Sequence, residues 1–456
     1  MSNGTAHSVP LPDELLEYIF DLATYGPSRD VEALTGLRTF EGDYSTDIDS
    51  ACDATLKTKY ALSLTCSLFR NLCSRFLFED VRVGHGSEGL ADALERNPQL
   101  GLLVKRISIS SFGFKAAGHW CASYPPGTRR ILQRCPNVVI LTRPFDFPVE
   151  SMDLQDDYPL SLPLSTEVEL DDLEFPHLRR VDWFNSPFDS LPTTLPTPKF
   201  IWKTESLEVL TVGPDHSPVQ NNEALIVDLP NLHTVRVRSI HTPGVIGEEG
   251  VEPAQIRLPA LRRIVFSLPD GIYPLFFQQF LRACGPQIEE LELAPNPRFL
   301  KHDFISVLMI NCSNATTLNF PVFTTKPTRK NLNRQVVQII YMVTHIGLSA
   351  AGFRKEDSEE SGYFGGAASS DEEDDQWGRL AAHFLALFGE RTRFSKVEKL
   401  TLYGREWEAI IPDPKFRGML NLVKSKNVEI VCEDASVAAT LNAVSESLRF
   451  WLTGSR

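Results

Sequence analysis

A six-residue pattern, h-x-x-h-x-h with h apolar, returns along this chain at nearly constant spacing, and no other feature restricts the possible folds as strongly. It reads VKRISI at Val104, LRRVDW at Leu178, LEVLTV at Leu207, LHTVRV at Leu232, LRRIVF at Leu261, IEELEL at Ile288, ATTLNF at Ala315, VTHIGL at Val343 and VEKLTL at Val397. A degenerate copy, VVILTR, starts at Val138. From Leu178 the starts lie 29, 25, 29, 27, 27, 28 and 54 residues apart. A three-point apolar pattern recurs easily by chance, but even spacing over six intervals does not. Such a period is what stacked strand-plus-helix units produce, each unable to bury its apolar face alone. Helix-like segments precede several copies: YPLFFQQFLRACGP before Ile288, KHDFISVLMINCS before Ala315 and WGRLAAHFLALFGE before Val397. The strands are therefore expected to stack in parallel. The last interval, twice 27, has room for a further whole period with an acidic run inside it.

Alternation along a strand sends the residues flanking the second apolar position to the opposite face. In the central copies that face would carry Arg180, Asp182, Arg236, Arg238 and Arg263, followed by Glu290 and Glu292. Arginines so clustered suit recognition of carboxylates or a phosphorylated motif through paired hydrogen bonds. Solvation of an open sheet accounts for the same residues. The C-terminal ASVAATLNAVSESLRFWLTGSR places Leu441, Val444, Leu448 and Trp451 at helical spacing, as a cap on the last unit requires.

Ahead of the repeats stand two apolar helical stretches. LPDELLEYIFDLAT, residues 11–24, has Pro12 in its first turn and Asp13 and Glu14 placed to complement the helix dipole. Leu15, Ile19 and Leu22 form one apolar stripe, yet Leu16, Tyr18 and Phe20 lie off it. YALSLTCSLFRNLCSRFLFEDVRV carries the same excess. A partner protein covering the second faces explains the surplus; docking on the rest of the chain is the alternative. LPDELLEYIF followed by ALSLTCSLFRNL resembles an F-box, the helical module that docks on the Skp-type adaptor of cullin ubiquitin ligases. The family's leading Leu-Pro falls on Leu11 and Pro12, its first-helix apolar positions on Leu15, Leu16, Ile19 and Phe20, and its second-half positions on Leu64, Leu68 and Phe69. SRFLFEDVRV is similar to the exit of F-boxes of the fungal type. The family's halves are usually joined by a few residues, whereas about thirty polar residues intervene here.

The array in turn resembles leucine-rich repeats in period and in strand-helix alternation. Only the copy at Ile288 has Asn at the family's turn position, Asn296, and Val, Ile, Phe or Trp replaces most of the leucines. The resemblances together imply an α/β protein in which an N-terminal helical F-box-like module precedes an irregular leucine-rich-repeat-like solenoid with parallel strands. The expected organisation is a disordered tail over 1–10, the module over 11–83 with an inserted loop at about 27–57, and the repeat domain over 84–456. A disordered acidic insertion is expected at about 354–376, where Ser369 and Ser370 precede acids and suit an acid-directed kinase; plain solvation is the simpler account.

Little in the chain suggests chemistry. Gly84, Gly86 and Gly89 spell G-x-G-x-x-G between strand-like and helix-like segments, but Ser108, Ser110 and Ser111 stand where a dinucleotide site wants an acid, so the glycines read as a turn. No nucleophile elbow or Walker loop occurs, and the one pair in metal spacing, His119 with Cys121, is too weak alone to hold an ion. The eight cysteines include no C-x-x-C; Cys66, Cys73, Cys135, Cys284 and Cys312 fall in apolar helices or at helix ends, where packing is their usual role. The expectation is therefore no catalysis, no cofactor and no metal. The formal charge is −14, nine acids of it between Glu356 and Asp375, which disfavours nucleic acid and anionic membrane as partners. With no signal-peptide pattern and no clean apolar span, an intracellular location, cytoplasmic or nuclear, is expected. The function implied is the substrate-recognition subunit of a Skp-cullin-F-box ubiquitin ligase, binding the adaptor, and through it a cullin, by the N-terminal helices and an unidentified target by the repeats. The alternative is a protein-binding scaffold on the same repeats without a ligase connection.

Overall fold

All ten copies of the pattern are strands, each beginning at the third residue of its copy. In the computed structural model, which describes residues 11–25, 35–41, 45–84, 86–110, 112–116, 119–143, 170–183, 198–212, 226–237, 255–267, 281, 284–300, 303–327, 342–353, 370–390, 392 and 394–442, the chain divides into two compact units. One comprises Met1–Leu37 with Asp43–Asn231, the other Arg38–Gly42 with Leu232–Arg456.

The first unit holds helices α1 (Asp13–Ala23), α2 (Ser45–Thr65), α3 (Ser67–Phe78), α4 (Ser87–Arg96) and α5 (Thr128–Arg134). Its strands β1 (Asp80–Val83), β2 (Arg106–Ile109), β3 (Ile140–Arg143), β4 (Arg180–Trp183) and β5 (Val209–Val212) pair in that order, all parallel. The second apolar position of each copy is in register with its neighbour's, so Val81, Ile107, Leu141, Val181 and Leu210 form one buried row. Gly86, at φ 80, makes the turn from β1 into α4, the role expected of the glycine cluster.

The second unit repeats the plan with β6 (Thr234–Val237), β7 (Arg263–Phe266), β8 (Glu290–Leu293), β9 (Thr317–Pro321), β10 (His345–Ser349), β11 (Lys399–Tyr403) and β12 (Glu429–Cys432), again parallel throughout. Val235, Ile264, Leu291, Leu318, Ile346, Leu400 and Ile430 share one row. Helices α6 (Phe304–Asn311), α7 (Ser370–Phe388) and α8 (Pro414–Ser425) lie between its strands in sequence. The first apolar residue of every copy is buried as well. Each such Leu or Ile contributes about 1.5–3 kcal/mol by leaving water.

Three expectations need correction. The 54-residue interval does not contain a skipped unit, because β10 pairs directly with β11, His345 opposite Lys399; the surplus is one long connection ending in α7. Of the acidic segment expected to be disordered, residues 354–369 lie outside the described residues, but 370–376 are helical. The loop expected at about 27–57 is helix from Ser45 onward. Val437 and Leu441 are buried in a helical segment over 435–442, whereas Val444, Leu448 and Trp451 lie outside the described residues, as does the tail 1–10. Among the described residues no helix is long and apolar enough to cross a membrane.

Candidate interaction surfaces

Helix α1 begins at Pro12, with Asp13 and Glu14 in its first turn, and sends one side chain inward: Phe20 packs with Cys73 and Phe76, flanked by Leu62, Phe69 and Leu72. The Phe20 and Phe69 rings meet edge to face, centroids 4.7 Å apart. Cys66 does not pack; it is exposed, and its Sγ caps α3 by accepting the Phe69 amide at 3.4 Å. With the core filled, the other apolar residues have nowhere to go. Leu11, Leu15, Ile19, Leu64 and Leu68 are exposed, Leu15 by 49% and Leu64 by 59%. Leu22, Leu56 and Tyr60 are exposed as well.

Of the nine residues assigned to an adaptor surface, then, Leu11, Pro12, Leu15, Ile19, Leu64 and Leu68 are exposed, Leu16 and Phe69 are half-buried, and Phe20 is buried in the helices' own core. A groove between α1 and α3, lined by Glu14, Glu17, Asp21, Arg75 and Glu79, adds a polar flank, with Arg75 bound to Glu17 at 3.2 Å.

The sheet face departs from expectation. Arg180 and Arg236, read as displayed to solvent, are 0% and 2% exposed. Arg263 is half-buried, and Arg238 lies outside the described residues. In the first unit, the Arg180 guanidinium donates to Asp182 at 2.7 Å and to the Gly36 carbonyl at 3.1 Å, while Asp182 accepts from Thr211 at 2.5 Å. Arg106, equally buried, is held by both oxygens of Asp80 at 2.9 and 2.8 Å. For Arg180 the cover is one that no local pattern announces: Gly36, from the connection between α1 and α2, accepts from its guanidinium, and Thr35 and Leu37 on either side are buried too.

In the second unit the register aligns Arg236, Val265, Glu292, Asn319, Gly347 and Thr401 across six strands. Glu292, fully buried, accepts from Arg263 at 2.5 Å, and Glu290 bridges Arg263 at 3.1 Å and Asn319 at 2.8 Å. Burial pushes the Glu292 carboxyl above the usual carboxylate range, against the opposing pull of Arg263, of Arg236 and of a backbone amide. That amide belongs to Phe40, which donates to Glu292 at 2.9 Å. One residue on, the Glu41 carbonyl accepts from Arg236. The Phe40 ring meets the Tyr403 ring edge to face at 5.3 Å, and Thr39 hydrogen-bonds the Tyr403 hydroxyl. Gly347 makes room for this arrangement, since a Cβ there would come within 2.8 Å of the Tyr403 ring and 2.1 Å of Asn319. Residues 38–41 form a turn closed by the Glu41 amide on the Arg38 carbonyl at 3.1 Å. Phe40 sits in it at φ 56, a left-handed conformation that Gly or Asn adopts readily and that costs a bulky residue on the order of 1–3 kcal/mol.

Burial shifts other titratable groups as well. The thiols of Cys135 and Cys312 are pushed up to about 12 by burial and that of Cys284 to about 11, far from nucleophilic at neutral pH. His383 in α7, fully buried against Thr325 and Phe320, is pushed down to about 4 by desolvation. Among the described residues no cluster of His, Cys, Asp and Glu is arranged to hold a metal ion. No protein-family model and no curated protein matches this sequence.

Proposed function

We propose that this chain is the substrate-recognition subunit of a Skp-cullin-F-box ubiquitin ligase, with an F-box-like module at its N-terminus and a leucine-rich-repeat-like array as the target-receiving part. The observation that carries the reading is the exposure of Leu11, Leu15, Ile19, Leu64 and Leu68 around a helical core already completed by Phe20, Cys73 and Phe76. Side chains of that size in water have a reason to persist when a partner takes them out of it. Leu11, Leu15 and Ile19 also occupy the F-box positions that the resemblance assigns to the adaptor. On this reading ubiquitin transfer is performed by other subunits, and no chemistry is asked of this chain.

The test is capture of a purified Skp-type adaptor by the full-length chain. Replacing Leu15 and Ile19 together by Asp puts unpaired charge into a dry interface, at a cost of several kcal/mol. Capture is expected to vanish while circular dichroism and melting stay those of the parent. Undiminished capture by the double variant would remove the F-box assignment.

A second reading, a scaffold with no ligase connection, draws on one observation. Helix α2 runs back from Thr65 to Ser45, and its exposed Leu56 and Tyr60 carry the apolar surface beyond the F-box positions. Failure of the parent chain itself to bind any Skp-type adaptor would favour it.

A further inference from the structure

The charged network on the second unit's sheet face ends on the backbone of a turn brought from far along the chain. Glu292 takes the Phe40 amide and Arg236 the Glu41 carbonyl, over separations of 252 and 195 residues. Neither contact reads a side chain, so any polypeptide presenting an amide and the next carbonyl in this geometry would satisfy both. The side-chain reading is made at Tyr403, whose ring meets Phe40 and whose hydroxyl bonds Thr39. The turn itself is only partly enclosed: Arg38 is exposed, Thr39, Phe40 and Glu41 are half-buried, and Phe40 adopts a backbone conformation unfavourable for its type. The receiving groups, by contrast, are rigidly placed by strand register and mutual ion pairs.

We propose that residues 38–41 are a built-in competitor seated in a peptide-recognition site formed by Arg236, Arg263, Glu292 and Tyr403, and that the site's ligand in trans is a polypeptide turn carrying an aromatic residue. The turn displays the ligand chemistry the site accepts: an aromatic ring for Tyr403, its own amide for Glu292 and the following carbonyl for Arg236. Because Phe40 bears an unfavourable φ, a partner with the same ring in a relaxed backbone competes at an advantage. Tethering works the other way, since a segment in the same chain acts at an effective concentration that a free peptide must exceed. The site is thus closed by default and opens to a ligand that is abundant or better shaped. This assignment rests on the reading of the array as the target-receiving part, and not on the adaptor.

The probe is a fluorescein-labelled synthetic peptide of residues 35–41, TGLRTFE, titrated by polarisation against the full-length chain. It is compared with a full-length variant in which residues 38–41 are replaced by Gly-Ser-Gly-Ser. The variant is expected to bind at least roughly tenfold more tightly than the parent, the ratio expected when a tethered competitor is removed. Adding Tyr403→Ala to the variant, or changing the peptide's Phe to Ser, is expected to abolish that gain. Equal binding by parent and variant, or no binding by a folded variant, would overturn the proposal. Should the variant not fold, hydrogen exchange on the parent decides. A Phe40 amide exchanging at the slow rate of the β8 amides would make the turn a fixed part of the core and overturn the proposal. Exchange on the order of a hundredfold faster supports it, because the turn then lifts while the strands stay closed. Adaptor capture by the same variant is measured alongside; it is expected to be unchanged, so loss of peptide binding and loss of the ligase reading register separately.

Discussion

The N-terminal helices and the repeat strands handle solvent in opposite ways. On α1, α2 and α3 apolar residues stand in water, Leu15, Ile19, Leu64 and Leu68 among them, while on the sheet faces Arg180, Asp182, Arg236 and Glu292 are withdrawn from it. Neither is the default of a folded chain. Exposed apolar groups are tolerated because a small core is already complete without them. Buried charges are tolerated because each meets an opposite charge or a backbone dipole: Arg180 has Asp182 and Gly36, and Glu292 has Arg263 and the Phe40 amide. The first arrangement leaves its apolar residues in water, whereas the second has found its cover within the chain. That contrast separates a surface left open from a surface already covered.

The contrast is broken most forcefully by removing a buried charge. Glu292→Ala removes the buried carboxylate that faces Arg236 and one of the two that hold Arg263, and the expected loss of stability is about 3–5 kcal/mol. Denaturant unfolding of the parent and of the variant measures it. A loss under about 1 kcal/mol would place Glu292 in effective contact with water and cancel the distinction between the two regions.

How much of this was legible in the sequence depends on how far away the deciding residue lay. The ten strands could be read because each depends on its own h-x-x-h-x-h text. The twelfth, Glu429–Cys432, was missed because its copy starts with Asn427, at φ 56, instead of an apolar residue. Helix α2 was read as loop because few apolar residues between Ser45 and Ala54 mark a helical face. Alternation correctly put Arg180, Arg236 and Glu292 on the face opposite the apolar row, but nothing local could disclose their burial, since the cover comes from residues 35–41. The surplus of apolar residues at the N-terminus was legible as surplus. Its sorting was not: Phe20 and Leu15 look alike in the text, and only packing against Cys73 and Phe76 sends one inward.

A smaller effect sharpens the comparison through pH. Fully buried His383 stays neutral down to about 4, whereas in the unfolded chain it protonates near 6.5. The unfolded state therefore binds the extra proton first, and the stabilisation present above pH 6.5 is lost as the pH falls toward 4. The loss approaches about 1.4 kcal/mol per pH unit inside that window, or roughly 3 kcal/mol in all. His383→Gln keeps a donor for the Thr325 carbonyl and removes the titration, so its stability is expected to fall less steeply than the parent's between pH 6.5 and 4. Parallel profiles would mean that water reaches the imidazole.

The smallest expected effect is the most discriminating, because it asks for a change in stability close to zero. Leu64→Gln and Leu68→Gln alter two exposed side chains for a residue of similar helix propensity, so each is expected to move stability by no more than about 0.5 kcal/mol. Phe20→Ala, in the same helical region, removes a buried ring that Phe69 meets edge to face and is expected to cost about 3–5 kcal/mol. If exposed leucines are held for a partner, the two Gln variants keep the parent's melting temperature and still lose adaptor capture, whereas Phe20→Ala loses capture only in proportion to its unfolding. Melting that drops for Leu64→Gln as it does for Phe20→Ala would show that the chain itself covers these leucines in solution, and the N-terminal helices would then resemble the sheet face in having found their cover within the chain.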